Sequence, residues 1–313
     1  MIGWVIAAGQ PVLVMAVAPL LIGWMRLVRA RLEGRAGAGI GQPWRDLRKL
    51  VRKEPISPAG SGWLFVAAPP VLLATSLLIA AIVPLAATTS RLAGSADLIV
   101  VVGLLLLGTA ALALAALDTG TAFGGMGASR EMAIAALVEP TLLLSTFALS
   151  ARAGSTSLSA IVTAGAGHAE RLVSPASLLA AAALAIAVLA ETGRMPVDNP
   201  ATHLELTMVH EAMVLEYAGR DLALVELASA MRLTLLLGLL ANLFLPWGVA
   251  TTATWGAAAI GVVVLLGKLA LLAGVLAAGE VLLAKLRLFR VPELLAGSFV
   301  LALLAVTASY VLA

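Results

Sequence analysis

The sequence predicts an all-α integral membrane protein: a kinked bundle of about eight transmembrane helices, both termini outside (periplasmic), with long cytoplasmic loops after helices 1 and 5. Three observations predict it. Hydrophobic residues make up 61% of the 313 residues and charged residues 12%, against roughly 45–50% and about 25% in a soluble domain. The apolar residues gather into stretches of the roughly 20-residue length that crosses a hydrocarbon core. Lys and Arg gather between alternate stretches. A water-exposed globule and a disordered chain are both excluded.

The first stretch, residues 3–27, lacks a positive leader and is too long for a signal-peptide core, so it is expected to remain as a span. Pro11 and Pro19 lie within it. The second, 63–87, carries Pro69, Pro70 and Pro84; buried neighbours can satisfy the carbonyls that such residues free. The third and fourth run over 97–117 and 131–150. The fifth, 175–191, is the shortest, and the Ser/Thr-rich stretch 154–163 before it is expected along the surface. The sixth, seventh and eighth cover 222–246, 254–283 and 293–312. No repeat or soluble appendage is visible, so residues 1–313 read as a single polytopic membrane domain.

Odd loops hold fifteen Lys and Arg, nine of them in the first loop, and even loops hold three. The positive-inside rule then makes the odd loops cytoplasmic, about residues 28–61 and 192–221 for the two long ones, in a multi-pass protein of the cell inner (cytoplasmic) membrane. Clustering of the basic residues in one juxtamembrane stretch serves topology and argues against a nucleic-acid partner. Cysteine is absent, which removes disulfides, thiolate zinc sites and iron–sulfur ligation from this chain. A redox centre belongs on another polypeptide, unless His residues alone hold a cofactor.

Charges inside spans are costly and by default mark ion or proton paths. Glu139 lies mid-span in the fourth helix. Asp118 ends the third, Arg130 and Glu131 open the fourth, and Glu191 closes the fifth. Glu226 and Arg232 lie in the sixth, Lys268 and Glu280 in the seventh. Each acid is either tied off by a basic neighbour or handles protons. Glu139, with no basic residue near in sequence, favours the second role, and Lys268 would perturb it if their helices packed together.

The fifth loop, Glu191-Thr-Gly-Arg-Met-Pro-Val-Asp-Asn-Pro-Ala-Thr-His-Leu-Glu-Leu-Thr-Met-Val-His-Glu-Ala-Met-Val-Leu-Glu-Tyr217, concentrates Glu191, Arg194, Asp198, His203, Glu205, His210, Glu211 and Glu216. Pro196 and Pro200 oppose helix up to Asn199. A helix over 201–217 would place Glu205 and Glu216 on one face, His203, His210 and Tyr217 on the other, and Glu211 between them. Acids interleaved with Leu, Met and Val point to a buried funnel. His210-Glu211 starts an H-E-x-x-H match, but Val214 holds the second histidine's place, so no metal site is assigned.

At this loop, E-T-G-R-x-P-x-D-x-P followed by E-L and E-Y resembles the signature of the membrane subunit that anchors the peripheral arm in respiratory complex I. The longer reading, with H-L-E-L-T-M and H-E-A-M-x-L-E-Y, resembles the hydrogenase-4 component C and formate hydrogenlyase branch of that complex I subunit 1 family. Leu117-Asp-Thr-Gly-Thr-Ala-Phe-Gly-Gly-Met-Gly-Ala-Ser-Arg-Glu131, Val138-Glu139-Pro140 and Gln42-Pro-Trp-Arg-Asp46-Leu-Arg-Lys49-Leu50 extend the resemblance over nearly the whole chain. It implies the eight-helix family fold and an ion-translocating coupling subunit with no cofactor of its own. Fe–S clusters, and NiFe where retained, would sit on partners: a hydrogenase-like large subunit and an Fe–S small subunit on the cytoplasmic side. Antiporter-like membrane subunits and lipid would be its other neighbours.

The resemblance also assigns roles. Glu139, Glu191, Arg194, Asp198, Glu205 and Glu216 match positions shared with the complex I form. Asp118, Glu131, His203, His210 and Glu211 match the hydrogenase branch. With Lys268 and Glu280 these are the expected proton or ion path, and Arg130, Arg194 and Arg232 its charge partners. Arg31, Arg35, Arg45, Asp46, Arg48, Lys49 and Lys53 are expected to dock the arm. Arg35 is followed by Ala-Gly-Ala-Gly-Ile-Gly instead of the quinone-using form's Gly-Pro-rich segment, and His203 replaces an acid. Both departures argue against a quinone site. The alternatives are a complex I-like quinone-site subunit, a stand-alone ion transporter, and a membrane anchor whose acids only order the fifth loop.

Overall fold

The computed structural model describes residues 2–167, 174–198 and 208–311. The regular elements among them are helical: α1 (Ile2–Leu32), α2 (Gln42–Val51), α3 (Trp63–Ile82), α4 (Leu98–Asp118), α5 (Ala122–Ala153), α6 (Leu158–Gly167), α7 (Pro175–Glu191), α8 (His210–Val214), α9 (Gly219–Phe244), α10 (Trp255–Leu282) and α11 (Val291–Val311). Among the described residues, seven helices are long and apolar enough to cross a membrane: α1, α3, α4, α5, α9, α10 and α11, the last with the turn before it. The fifth expected span, α7, is apolar but has 17 residues.

Most boundaries follow from local chemistry. Asp97 accepts from the Ile99 amide at 2.9 Å and Thr121 from the Gly124 amide at 3.2 Å, so side-chain oxygens cap α4 and α5. Gly154 takes φ +63° after α5, the left-handed conformation that ends many helices. The second span was expected to reach residue 87, but α3 stops at Ile82. Val83 is extended, as the residue before Pro84 prefers to be. Residues 82–87 are buried all the same, and bonds from other helices satisfy this non-helical backbone. Gln10 donates to the Ala80 and Val83 carbonyls at 2.5 and 2.7 Å, and Asn242 to the Pro84 and Leu85 carbonyls at 3.0 and 2.6 Å.

Two further expectations are corrected, and the first loop adds a helix that none of them named. The fourth span begins at Ala122, so Arg130 and Glu131 lie within α5 and do not open it. Inside the first loop, residues 42–51 form a helix; it buries Pro43 and Leu47 and turns Arg45, Arg48 and Lys49 outward. In the fifth loop the only helix among the described residues is the five-residue α8. It ends before Tyr217, which therefore does not share a helical face with His210. Residues 199–207, including His203 and Glu205, lie outside the described residues.

α9 packs against α1, α2, α3, α7 and α10, while α5 packs against α4, α7, α8 and α11. Small residues line many of these contacts: Ala148, Ala180 and Ala305 form a seam between α5, α7 and α11. With no water to expel between helices inside a bilayer, such close approach is the main source of attraction.

Candidate functional site

A cavity of about 660 Å³ opens between α1, α2, α5, α7, α8 and α9, on the side of the bundle where the first loop lies. Its apolar wall includes Leu72, Leu112, Met213, Val214 and Val225. Its polar lining includes Arg26 and Arg29 from α1, Asp46 from α2, Glu131 from α5, Glu191 and Arg194 around the end of α7, His210 and Glu211 from α8, Glu226 and Arg232 from α9, and Glu280 from α10. The expected funnel is therefore real in outline, but α1, α2 and α10 contribute as much of it as the fifth loop.

The geometry starts from the end of α7. Gly193 takes φ +57°, which reverses the chain within two residues. Glu191 thereby stays on the bundle-facing side of α7, while Arg194 turns back toward α10. Arg194 Nη1 donates to Glu280 Oε1 at 3.2 Å, and Arg29 lies 3.9 Å from the other Glu280 oxygen. Arg29 also holds Glu33 at 3.1 Å, and Glu33 is bonded by Arg35. An alternating row of charges thus leads from the exposed first loop to the cavity wall. The Arg35 and Arg29 guanidiniums hold the Glu33 carboxyl below its usual range. Burial lowers the pKa of Arg194, with Glu280 opposing.

Deeper in the bundle, Arg232 Nη2 is bonded to Glu191 Oε1, to the Thr109 hydroxyl at 2.6 Å and to the Leu105 carbonyl at 3.0 Å. Glu139 is buried beyond it, and its Oε1, like Arg232 Nε, has no hydrogen-bond partner among the described residues. A buried acceptor and a buried donor are thus left unmatched next to an ion pair, a costly arrangement for a purely structural element.

The loop itself is pinned at two points. Asp198 accepts from the Val209 amide at 3.2 Å and pairs with Lys285 at 3.0 Å, and the Leu286 amide donates to the Pro196 carbonyl at 2.9 Å. Arg130 donates to the Met208 carbonyl at 3.0 Å. α8 is seated on Gly127 of α5, where a Cβ would lie 2.9 Å from both the Ala212 methyl and the Val209 carbonyl oxygen. This seat holds His210 in the cavity wall, with Nε2 3.4 Å from the Ser229 hydroxyl. Burial, reinforced by the Arg232 charge and opposed by Asp198, lowers the imidazole to about 4, so His210 is neutral at ordinary pH.

Other expected site residues fall elsewhere. Asp118 accepts from the Gly62 and Phe65 amides at 2.6 and 3.3 Å and so caps α3, away from the cavity. Glu216 is half-buried outside the lining, beside Tyr217, whose ring stacks on Phe65 and whose hydroxyl donates to the Phe65 carbonyl at 2.9 Å. Lys268 reaches Asn242 on α9 at 3.1 Å and the carbonyl of Leu245 just after it, not Glu139 on α5. Arg31, Arg35, Arg45, Arg48, Lys49 and Lys53 are exposed on the first-loop side. Arg26, Arg29 and Thr109 were missed as site residues. The two arginines read only as topology charges, and a threonine in an apolar span carries no signal of its own.

A family model described as NADH dehydrogenase matches residues 6–311. Hydrogenase-4 component C of Escherichia coli (strain K12) is 38% identical over 245 residues, 78% of this chain and 76% of that protein. Formate hydrogenlyase subunit 4 of the same organism is 35% identical over 296 residues, 95% of each. A subunit of the NADH-quinone oxidoreductase of Burkholderia vietnamiensis is 30% identical over 72% of this chain and 65% of its own length. Among solved structures, a chain of the membrane-bound sulfane sulfur reductase, an archaeal respiratory membrane complex, superposes with a TM-score of 0.81. It is 22% identical over 97% of this chain and 98% of that one, and so shares its fold.

Proposed function

The chain belongs to the NADH dehydrogenase family, and from that premise we propose that it is the membrane coupling subunit of an energy-converting nickel–iron hydrogenase or hydrogenase-related complex. It docks a cytoplasmic redox arm and links electron transfer there to translocation of H⁺ or Na⁺ through buried carboxylates. One observation carries the reading. The Glu191–Arg232 pair lies in the wall of a charge-lined cavity that faces the side bearing the exposed basic loop, and the unmatched Glu139 oxygen is buried beyond that pair.

In this reading α7 is the eighth span, both termini lie outside, and the protein resides in the cytoplasmic membrane. The exposed Arg31, Arg35, Arg45, Arg48, Lys49 and Lys53 receive the arm. Fe–S clusters, and NiFe where retained, sit on the hydrogenase-like large subunit and the Fe–S small subunit, and antiporter-like subunits flank this chain in the membrane. Electron transfer in the arm changes the charge felt by the row Arg29, Glu280 and Arg194. The deeper group of Glu131, Glu191, Arg232 and Glu139 answers by changing partners or protonation. His203 and Glu205 belong to the same loop, and their part in the path rests on the family resemblance.

Glu139→Gln tests the proposal. In sealed vesicles holding the whole complex, it should lower ion translocation per electron while electron transfer remains measurable. Full translocation in that variant would remove Glu139 from the path. A second reading, a quinone-site subunit, is favoured by the cavity's volume and by its Leu72, Leu112 and Val225 wall. Quinone-dependent electron transfer that is lost on narrowing this wall with Val225→Trp would support it. A stand-alone transporter would purify without iron–sulfur proteins.

A further inference from the structure

The half of the bundle opposite the cavity holds a second polar cluster. Gln10 of α1 and Asn242 of α9 bond the non-helical segment that follows α3, and Lys268 of α10 joins them through Asn242. Helical side chains lean toward the N-terminal end of their helix, so Lys268, mid-way along α10, reaches toward that helix's start and meets the last turn of α9. Its acceptors are the Asn242 side-chain oxygen at 3.1 Å and the Leu245 carbonyl. Both are neutral. Three other half-buried cations contrast with it: Arg232 is paired with Glu191, Arg194 with Glu280, and Lys285 with Asp198.

An ammonium has three hydrogens to donate, and this one has two acceptors among the described residues. A neutral amine keeps two N–H donors, so it satisfies the same two acceptors. The third proton is therefore removable without breaking the cluster. We propose that Lys268, Asn242 and the Leu245 carbonyl form a proton-exchange site in the outer half of the membrane, giving this chain an exit of its own through α1, α9 and α10. The inference rests on the ion-translocating reading above.

The route is ordered along three helices. On α1 the cavity takes residues from Pro19 onward, and Gln10 belongs to the outer cluster. On α9, Arg232 and Asn242 are ten residues apart, about 15 Å along the axis. Between them Leu13, Val14, Leu85, Thr234, Leu265 and Leu269 line a gap of about 10 Å³. That is at or below the ~10–15 Å³ a single water requires, so this gap holds at most one water as it stands, and a proton path through it needs widening. In the transfer, one N–H bond of the ammonium breaks, its electron pair stays on nitrogen, and the proton passes to water at the outer surface. A proton crossing the widened layer from the cavity carboxylates then restores the ammonium.

The test measures protons moved per electron by the whole complex in sealed vesicles carrying a pH dye. Lys268→Arg keeps the charge and the donors, but arginine is not deprotonated in proteins, so the ratio should fall by the share of protons that leaves through this chain. If Lys268 were only a structural pin, Arg would restore it, and a full ratio in this variant overturns the proposal. Lys268→Gln provides the second arm, and decides the matter if Lys268→Arg does not assemble. A neutral amide keeps N–H donors for the cluster but exchanges no proton, so this variant should also lose translocation, and a full ratio again overturns the exit site. Glu139→Gln in the same preparation separates the two ideas. Loss there with a full ratio in Lys268→Arg removes only the outer site, whereas a full ratio in Glu139→Gln counts against the inner path.

Discussion

Arg232 of α9 closes on Glu191 at the end of α7, and the same guanidinium nitrogen is tied to α4 through Thr109 and Leu105. Glu191 is buried. Removing one partner of such a pair strands a buried charge, at roughly 3–5 kcal/mol, whereas removing both charges is often close to neutral. Arg232→Gln should therefore lower the thermal stability and yield of the subunit sharply. Arg232→Gln with Glu191→Gln should recover most of that loss without recovering ion translocation. A double variant no more stable than the single one would show that the pair does not hold α7 to α9.

His210 gives a pH dependence with a defined sign. Its pKa is lowered to about 4 in the folded chain and is about 6.5 when exposed, so only the unfolded or opened loop takes up a proton between those values. The contribution of the neutral imidazole is full above pH 6.5 and is lost progressively as pH falls toward 4. The protection factors of the α8 amides, with the slower intrinsic exchange at low pH divided out, should fall over that window. His210→Gln, which cannot titrate, should flatten the profile, and an unchanged profile would assign the effect to other groups.

The apolar spans were legible in the sequence because hydropathy reports lipid burial directly. Their ends were less so. Residues 83–87 are as apolar as α3 itself, so only Pro84 marked the point where the helix stops. The Gly-rich run before Arg130 hid the first two turns of α5, which Thr121 caps. The first-loop helix was masked by its charges, although Pro43 and Leu47 sit one turn apart on a single face. The site was legible by residue type but not by pairing. Arg232 with Glu191 and Arg194 with Glu280 join positions 41 and 86 apart, and no local periodicity encodes which acid meets which base.

Close backbone approach makes Gly23 and Gly261 sensitive positions. A Cβ at Gly23 would lie 1.9 Å from the Ile40 carbonyl oxygen, where the first loop folds back on α1. One at Gly261 would lie 2.2 Å from the Ala86 oxygen, beside the non-helical segment. Backbone cannot swing aside as a side chain can, so Gly23→Ala and Gly261→Ala should each cost about 1–3 kcal/mol. Gly267, with open space where its Cβ would go, is the control. Thermal unfolding in detergent that ranked Gly267→Ala with the other two would contradict these contacts.

Asp118 separates the motif-based assignment from the geometric one. The motif places it in the ion path, but its carboxylate accepts the Gly62 and Phe65 amides and so caps α3. A capping carboxylate acts through hydrogen-bond acceptance and its attraction to the positive end of the helix dipole. An amide oxygen retains the first of these. Asp118→Asn should therefore be nearly as stable as wild type, whereas Asp118→Ala should lose roughly 0.5–2 kcal/mol. Proton translocation per electron should follow assembly and not charge, with Asp118→Asn close to wild type. If Asp118→Asn instead lost translocation while remaining fully assembled, the carboxylate would be exchanging protons, and the path would extend to the N-terminal end of α3.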